Sequence, residues 1–159
     1  MLATRRSTPE DVTYLAQNLR AEDLRELLAA GSPSAEQSLS DGLRHSAECL
    51  TIHDEQDKAV AMFGVVPSGE QGVGYVWLLG SDQLQFNKTQ FLRRSREWIG
   101  TLHQDFPVLT NFVDVRNEVH IAWLRWLGFK FLRKVRGLGP GGLTFIEFAR
   151  LTDREKDDL

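Results

Sequence analysis

The stretch that decides the fold is Asp114-Val115-Arg116-Asn117-Glu118-Val119-His120-Ile121-Ala122-Trp123-Leu124-Arg125-Trp126-Leu127-Gly128-Phe129. The run that enters it, 109–115, is apolar and partly β-branched and reads as a strand. Asn117 brings a side-chain oxygen that can cap a helix. Eleven residues on, Gly128 can adopt the left-handed conformation that closes one. Phe129 opens the next apolar run. A strand therefore feeds a helix that feeds a strand.

Outward from this unit the pattern stays regular. Phe129–Val135 and Leu143–Phe148 read as two closing strands joined by Gly137-Leu138-Gly139-Pro140-Gly141-Gly142, a flexible hairpin loop. Upstream, Phe91, Leu92, Trp98, Ile99 and Leu102 recur at helical period within 88–104. Ala59–Val66 and Val73–Leu79 form a hairpin, apolar throughout, so both faces of these strands are covered. Gly72 and Gly74 suit a bulge or a turn beside it. Between Ala47 and Ala59 no element is assigned. Ser34 opens a helix carrying Leu39, Leu43 and Ala47. Leu24, Leu27 and Leu28 sit on another that stops at Gly31. Thr8 caps a first helix with Pro9 in its first turn, and residues 3–6 make a short edge strand. The order implies an α/β sandwich with helices on both faces of one sheet.

The length of 159 residues suits one domain, residues 1–151, followed by a charged tail, 152–159. No apolar run reaches the ~18 residues of a membrane span. The first ten residues lack the apolar core of a secretory signal, and Cys49 is the single cysteine, which suits a reducing cytosol. The four histidines at 45, 53, 103 and 120 are too scattered to suggest a metal site. The net charge of −3 argues against a nucleic-acid partner. That average hides an asymmetry. Residues 1–79 hold 6 basic and 12 acidic side chains, whereas 83–150 hold 11 basic and 5 acidic. The second half is suited to something anionic, such as a phosphate-bearing cofactor, although solvated faces account for it as well. Trp123 and Trp126 share a helix face. Lys130, Arg133, Lys134 and Arg136 crowd one strand, as edge protection or as a phosphate site.

Asn117, the helix after it and Gly128-Phe129 resemble the last conserved motif of the GNAT N-acetyltransferases, and Arg5-Arg6-Ser7-Thr8-Pro9-Glu10-Asp11 resembles that family's first strand and helix cap. The resemblance implies a three-layer α/β sandwich whose mixed central sheet is partly splayed. It implies an acetyl-CoA-dependent transferase, with the pantetheine arm added as a strand beside Val76, Trp77 and Leu78. Lys88, helped by Arg93, would meet the phosphates, and Asn117 would lie beside the cofactor. More narrowly, Trp77-Leu78-Leu79-Gly80-Ser81-Asp82 and Asn117 with His120-Ile121 are similar to the small GNAT-like proteins of short-tailed phages. That branch implies action in the host cytoplasm on a host protein or small-molecule amine, host quorum sensing included. It also includes effectors without catalysis and components of the virion. Family members often form homodimers.

Three departures from the family pattern stand out. The stretch Gly80-Ser81-Asp82-Gln83-Leu84-Gln85-Phe86-Asn87-Lys88-Thr89 lacks the glycine pair that bares amides to pyrophosphate, and it places Asp82 there. The position of the family's acidic Tyr, seven after Asn117, is Leu124, which leaves His120 or Tyr75 to protonate the leaving thiolate. Residues 73–79 carry no acid. Asp114, at the strand end, is then the first choice for a base, ahead of Asp82, Glu118 and Glu147. Each of these residues also has an ordinary structural role open to it: a cap, a salt bridge or a core position.

Overall fold

The computed structural model describes residues 1–152. Of the expected charged tail only Thr152 falls among them. The elements run β1 (Ala3–Arg6), α1 (Pro9–Ala16), α2 (Ala21–Ala29), α3 (Ala35–His45), β2 (Glu48–His53), β3 (Ala59–Pro67), β4 (Val73–Gly80), α4 (Gln83–Phe86), α5 (Lys88–Leu102), β5 (Val108–Asp114), α6 (Glu118–Trp126), β6 (Lys130–Arg136) and β7 (Thr144–Leu151). Among the described residues the strands form one seven-stranded sheet in the order β1-β2-β3-β4-β5-β7-β6. The β4–β5 pair is parallel and the others are antiparallel.

Local chemistry sets several boundaries as expected. The Thr8 hydroxyl accepts from the Asp11 amide while the Asp11 carboxylate accepts from the Thr8 amide, a reciprocal cap that also holds Pro9 in the first turn. Ser34 caps α3 through the Gln37 amide. Asn117 caps α6 through the His120 amide, and Gly128 ends it at φ 87°. Two elements are additional. β2, with the sequence Glu48-Cys49-Leu50-Thr51-Ile52-His53, has no continuous apolar run, yet it lies between β1 and β3 and bonds to both. The single turn α4 precedes α5. The bulge allowed at Gly72 and Gly74 is absent, because β3 and β4 pair without a shift from Gly74 to Gly80. Gly72 instead makes a turn at φ 79°, and a Cβ on Gly74 would run into Val65 and Phe106.

Alternation along β3 and β4 sends side chains to two cores. Met62 and Leu79 meet Val12, Leu15 and Leu39 of α1 and α3. Phe63, Val65 and Val76 meet Phe91, Trp98 and Ile99 of α5 and Trp123 of α6. The helices thus cover both faces. The 137–142 loop is packed down: a Cβ on Gly139 would collide with the Ala29 carbonyl, and Pro140 rests against Gly31. The basic strand β6 is the exposed sheet edge. Trp123 is core, whereas Trp126 stays half-exposed under Arg96.

Candidate active site

The parallel pair at the centre of the sheet comes apart. β4 and β5 are in register only at Val73 with Val108, Gly74 with Leu109 and Tyr75 with Thr110. Beyond that point each strand keeps its outer partner, β4 with β3 as far as Gly80 and β5 with β7 as far as Asp114. The sheet therefore splits between two strands that are each still held from outside.

Asn111 stands at the apex. Its Nδ2 donates to the Val76 carbonyl at 2.9 Å, and its Oδ1 accepts from the Phe112 amide at 2.8 Å. A side chain thus takes the place of the next rung of the ladder. At the far end of β4, the Gly80 amide donates to Asp23 Oδ2 at 2.9 Å and the Gly80 carbonyl accepts from the Arg20 amide at 2.8 Å. Backbone groups on one edge of a strand recur every second residue. Val76 and Gly80 face the split, so Leu78 does too, with its amide and carbonyl turned into the gap. Trp77 turns its backbone toward β3 and leaves only its ring near the opening, where Nε1 donates to Ser46 Oγ at 2.8 Å.

A cavity of about 500 Å³ runs through this split. It is lined from one side of the sheet by Glu26, Leu27, Asp41 and His45, and from the other by Phe91, Trp98, His120 and Trp123. One cavity can touch both helical layers only because the sheet is open. Its body is apolar and aromatic, and its polar groups gather on the α2–α3 side.

Beside the cavity, near the end of β4, lies a buried polar network. Arg20 Nη2 donates to Asp23 Oδ1 at 2.8 Å and to Asn117 Oδ1 at 3.3 Å. Asn117 Nδ2 donates to the same Asp23 oxygen at 3.2 Å, and the Arg20 guanidinium lies 5.0 Å from the centre of the Trp123 ring. All three polar residues are buried. Asn117 therefore does more than cap its helix: it joins α6 to α2. Next to this network, His120 Nδ1 is 3.8 Å from Glu26 Oε2, an ion-pair distance too long for a hydrogen bond. Burial opposes charge on the imidazole, but Glu26, seconded by Asp23, outweighs it and holds the His120 pKa above its ordinary value. Glu26 Oε1 accepts from the Asp114 amide at 2.6 Å.

The site residues expected from the sequence fall into two groups. Val76, Trp77, Leu78 and His120 all line the cavity, whereas Asn117 does not and is held by Arg20 and Asp23. Asp114 is adjacent, but its carboxylate is engaged by Arg116 through Nε and Nη2, the latter at 2.6 Å. Burial alone would raise its pKa. The Arg116 side chain and amide more than reverse that and hold it below the usual carboxylate range. Tyr75 lies on the paired part of β4, on the opposite face from Val76, and is 42% exposed. Lys88 is exposed at the start of α5. Arg20, Asp23 and Glu26 escaped the sequence reading. They lie in a short amphipathic helix and its cap, where charged residues ordinarily face water.

The fold is that of the GNAT acetyltransferases. The chain superposes on a phosphinothricin acetyltransferase from Sinorhizobium meliloti, solved with AcCoA, with a TM-score of 0.73 at 14% identity, over 94% of this chain and 88% of that one. It matches an AAC(6')-Ib structure with ribostamycin and coenzyme A at 0.71 and 15%, over 98% and 96%. It matches the ribosomal-protein-S5-alanine acetyltransferase of Vibrio fischeri at 0.67 and 16%, over 96% and 93%. Residues 58–135 match the model of a family described as bacteriophage T7, probable scaffold protein Gp13. No curated protein matches the sequence.

Proposed function

We propose that the split between β4 and β5 receives the pantetheine arm of an acyl thioester, acetyl-CoA in its simplest form, and that the protein transfers the acyl group to an amine. The observation that carries this reading is the pair of Leu78 backbone groups left facing a cavity of about 500 Å³ inside a GNAT fold. An amide-bearing arm laid along that edge completes the missing rung of the sheet. The acidic side of the opening, with Glu26 and Asp41, suits a cationic amine.

The chemistry follows from the His120–Glu26 pair. The amine gives its extra proton to solvent as it enters; its neutral nitrogen then attacks the thioester carbonyl, a C–N bond forms and the C–S bond breaks. His120, whose pKa Glu26 raises, gives a proton to the departing thiolate. Glu26 takes the proton shed by the nitrogen and returns it to the imidazole. We assign the base role to Glu26 rather than to Asp114, because Arg116 holds Asp114 ionised and weakly basic. Asp114 acts as a positioning residue through its amide on Glu26. Tyr75 has no part in proton transfer, since it lies on the paired segment facing the other way.

Calorimetric titration with acetyl-CoA tests this reading. Saturable binding is expected, with a gain of about 2.7 kcal/mol in stability at roughly a hundred times the dissociation constant. With an acceptor in hand, His120→Gln is expected to lower kcat about 100-fold with little change in KM. No binding at millimolar cofactor overturns the reading.

A second reading is favoured by one observation. The family match spans 58–135, from β3 to β6, and so takes in both strands of the split. A phage protein that uses this body to bind a partner, in the host or in the particle, is consistent with it. Mass spectrometry of purified particles decides the matter: a fixed copy number supports a particle component, and absence supports a role in the host cytoplasm. No helix among the described residues is long and apolar enough to cross a membrane. The expectations of a quorum-sensing target and of a homodimer draw on no feature of the cleft and form no part of this reading.

A further inference from the structure

The segment that leads from β4 into α5 is closed upon itself. The Gly80 amide is bound to Asp23 and the Ser81 amide to the Val60 carbonyl at 2.9 Å. The Gln83 amide donates to Ser81 Oγ at 3.2 Å, and the Leu84 amide to the Ser81 carbonyl at 3.1 Å. The Gln85 and Phe86 amides donate to the Asp82 carbonyl, and the Asn87 amide to that of Gln83. A phosphate cradle needs successive amides pointing outward and unspent. Here the turn of α4 has spent those of Gln83 to Asn87, and the next successive amides without a bond, those of Lys88, Thr89 and Gln90, lie beyond it in the first turn of α5.

Four further observations agree. The Leu84 side chain, fully buried, fills the space over Gly80. Leu19 bridges to Ser81, so the start of α2 already lies along the gap edge at the end of β4. Asp82 is exposed on this turn, where its charge opposes an anion. The helix that would offer its dipole, α5, begins only at Lys88, beyond α4 and Asn87. Upstream of this turn the gap is different: the Leu78 groups are turned into the cavity and the walls are apolar.

We infer that the cleft recognises the acyl-pantetheine arm of its ligand and leaves the nucleotide unrecognised, so that an acyl-pantetheine thioester without adenosine phosphates is as good a ligand as coenzyme A. This rests on the reading of the split as a thioester site. It goes beyond that reading by assigning the part of the ligand that carries the affinity. The segment from Gly80 to Asn87 is anchored through Asp23 and the Val60 carbonyl at its start and through the buried Leu84 side chain in its middle. Opening it to phosphate would take the Gly80 amide off the buried Asp23.

The test compares three ligands on the full wild-type chain by calorimetry and thermal melt: acetyl-CoA, acetyl-pantetheine, and adenosine 3′,5′-bisphosphate. The expected result is that acetyl-pantetheine binds within about threefold of acetyl-CoA, a difference below 1 kcal/mol, while the bisphosphate neither binds nor competes. Binding of acetyl-CoA about 30-fold or more tighter than acetyl-pantetheine, a difference of about 2 kcal/mol, overturns the inference, as does competition by the bisphosphate. Failure of both thioesters to bind overturns the underlying thioester reading instead, so the two failures are distinguishable.

Discussion

The two ends of the β4–β5 pair differ in what holds them. At residues 73–75 and 108–110 the strands hold each other through backbone bonds in parallel register. At residues 76–80 and 111–114 side chains do that work: Asn111 at the apex, then Asp23 and Arg20 at the rim. Backbone pairing is generic and closes space. Side-chain substitutes can satisfy the same polar groups while keeping the strands apart, and the room they leave becomes the cavity. The open end therefore depends on a few particular side chains, whereas the closed end depends on backbone bonds, with Gly74 the position where a side chain would not fit.

That difference can be broken most severely at Asp23. Asp23→Ala leaves the Arg20 guanidinium buried without its partner and the Gly80 amide without its acceptor. A loss of about 3–5 kcal/mol is expected in urea unfolding. A substitution at the closed end that changes only a side chain, such as Thr110→Val, is expected to cost well under half of that, so similar losses at both ends would undo the comparison. The next effect is at the mouth. A Cβ at Gly42 would stand 2.6 Å from the Trp77 ring. Gly42→Ala should therefore push the indole off Ser46 and cost about 1–3 kcal/mol by overpacking, with weaker thioester binding in the same titration.

Asn111→Leu removes the apex bond while keeping the volume. A cost of about 1–2 kcal/mol is expected. Hydrogen exchange should speed at Phe112, whose amide loses its acceptor, and stay slow at Gly74, where the strands are paired. Unchanged exchange at Phe112 would show that the apex does not rest on this side chain. The smallest effect sharpens the electrostatics of the open end. His120 titrates above its ordinary 6.5 in the folded chain. The stabilisation it draws from Glu26 is therefore complete below about pH 6.5 and fades as the pH rises through the folded value. The stability difference between wild type and His120→Gln should shrink across that alkaline arm. A difference that grows there would contradict the pairing.

Much of this architecture is written locally. Thr8 with Asp11, Ser34, Asn117 and Gly128 set helix ends through contacts within a few residues, and the apolar runs of β3 and β4 announce covered strands. β2 escaped because its Leu50 and Ile52 form no run, and a strand with two sheet neighbours needs none. The site was legible where it follows from strand order, as at Val76, Leu78 and His120. It was not legible at Arg20, Asp23 and Glu26, because what they bind beyond the local Arg20–Asp23 pair lies 57 to 97 positions away in the chain.

The sequence by itself determined the order of elements, the helix caps, the burial of the central strands and the absence of the usual glycine pair after β4. Its periodicities and end signals act over a turn or a hairpin, the range at which side chains and their own backbone meet. Only the tertiary structure decided that β4 and β5 part after Tyr75, that Arg20 and Asp23 seal the end of β4 against Asn117, and that Glu26 stands beside His120 and raises its pKa. Each of these depends on polar groups from distant segments being buried together. Burial makes their pairing obligatory, and the fold alone selects which groups are buried side by side.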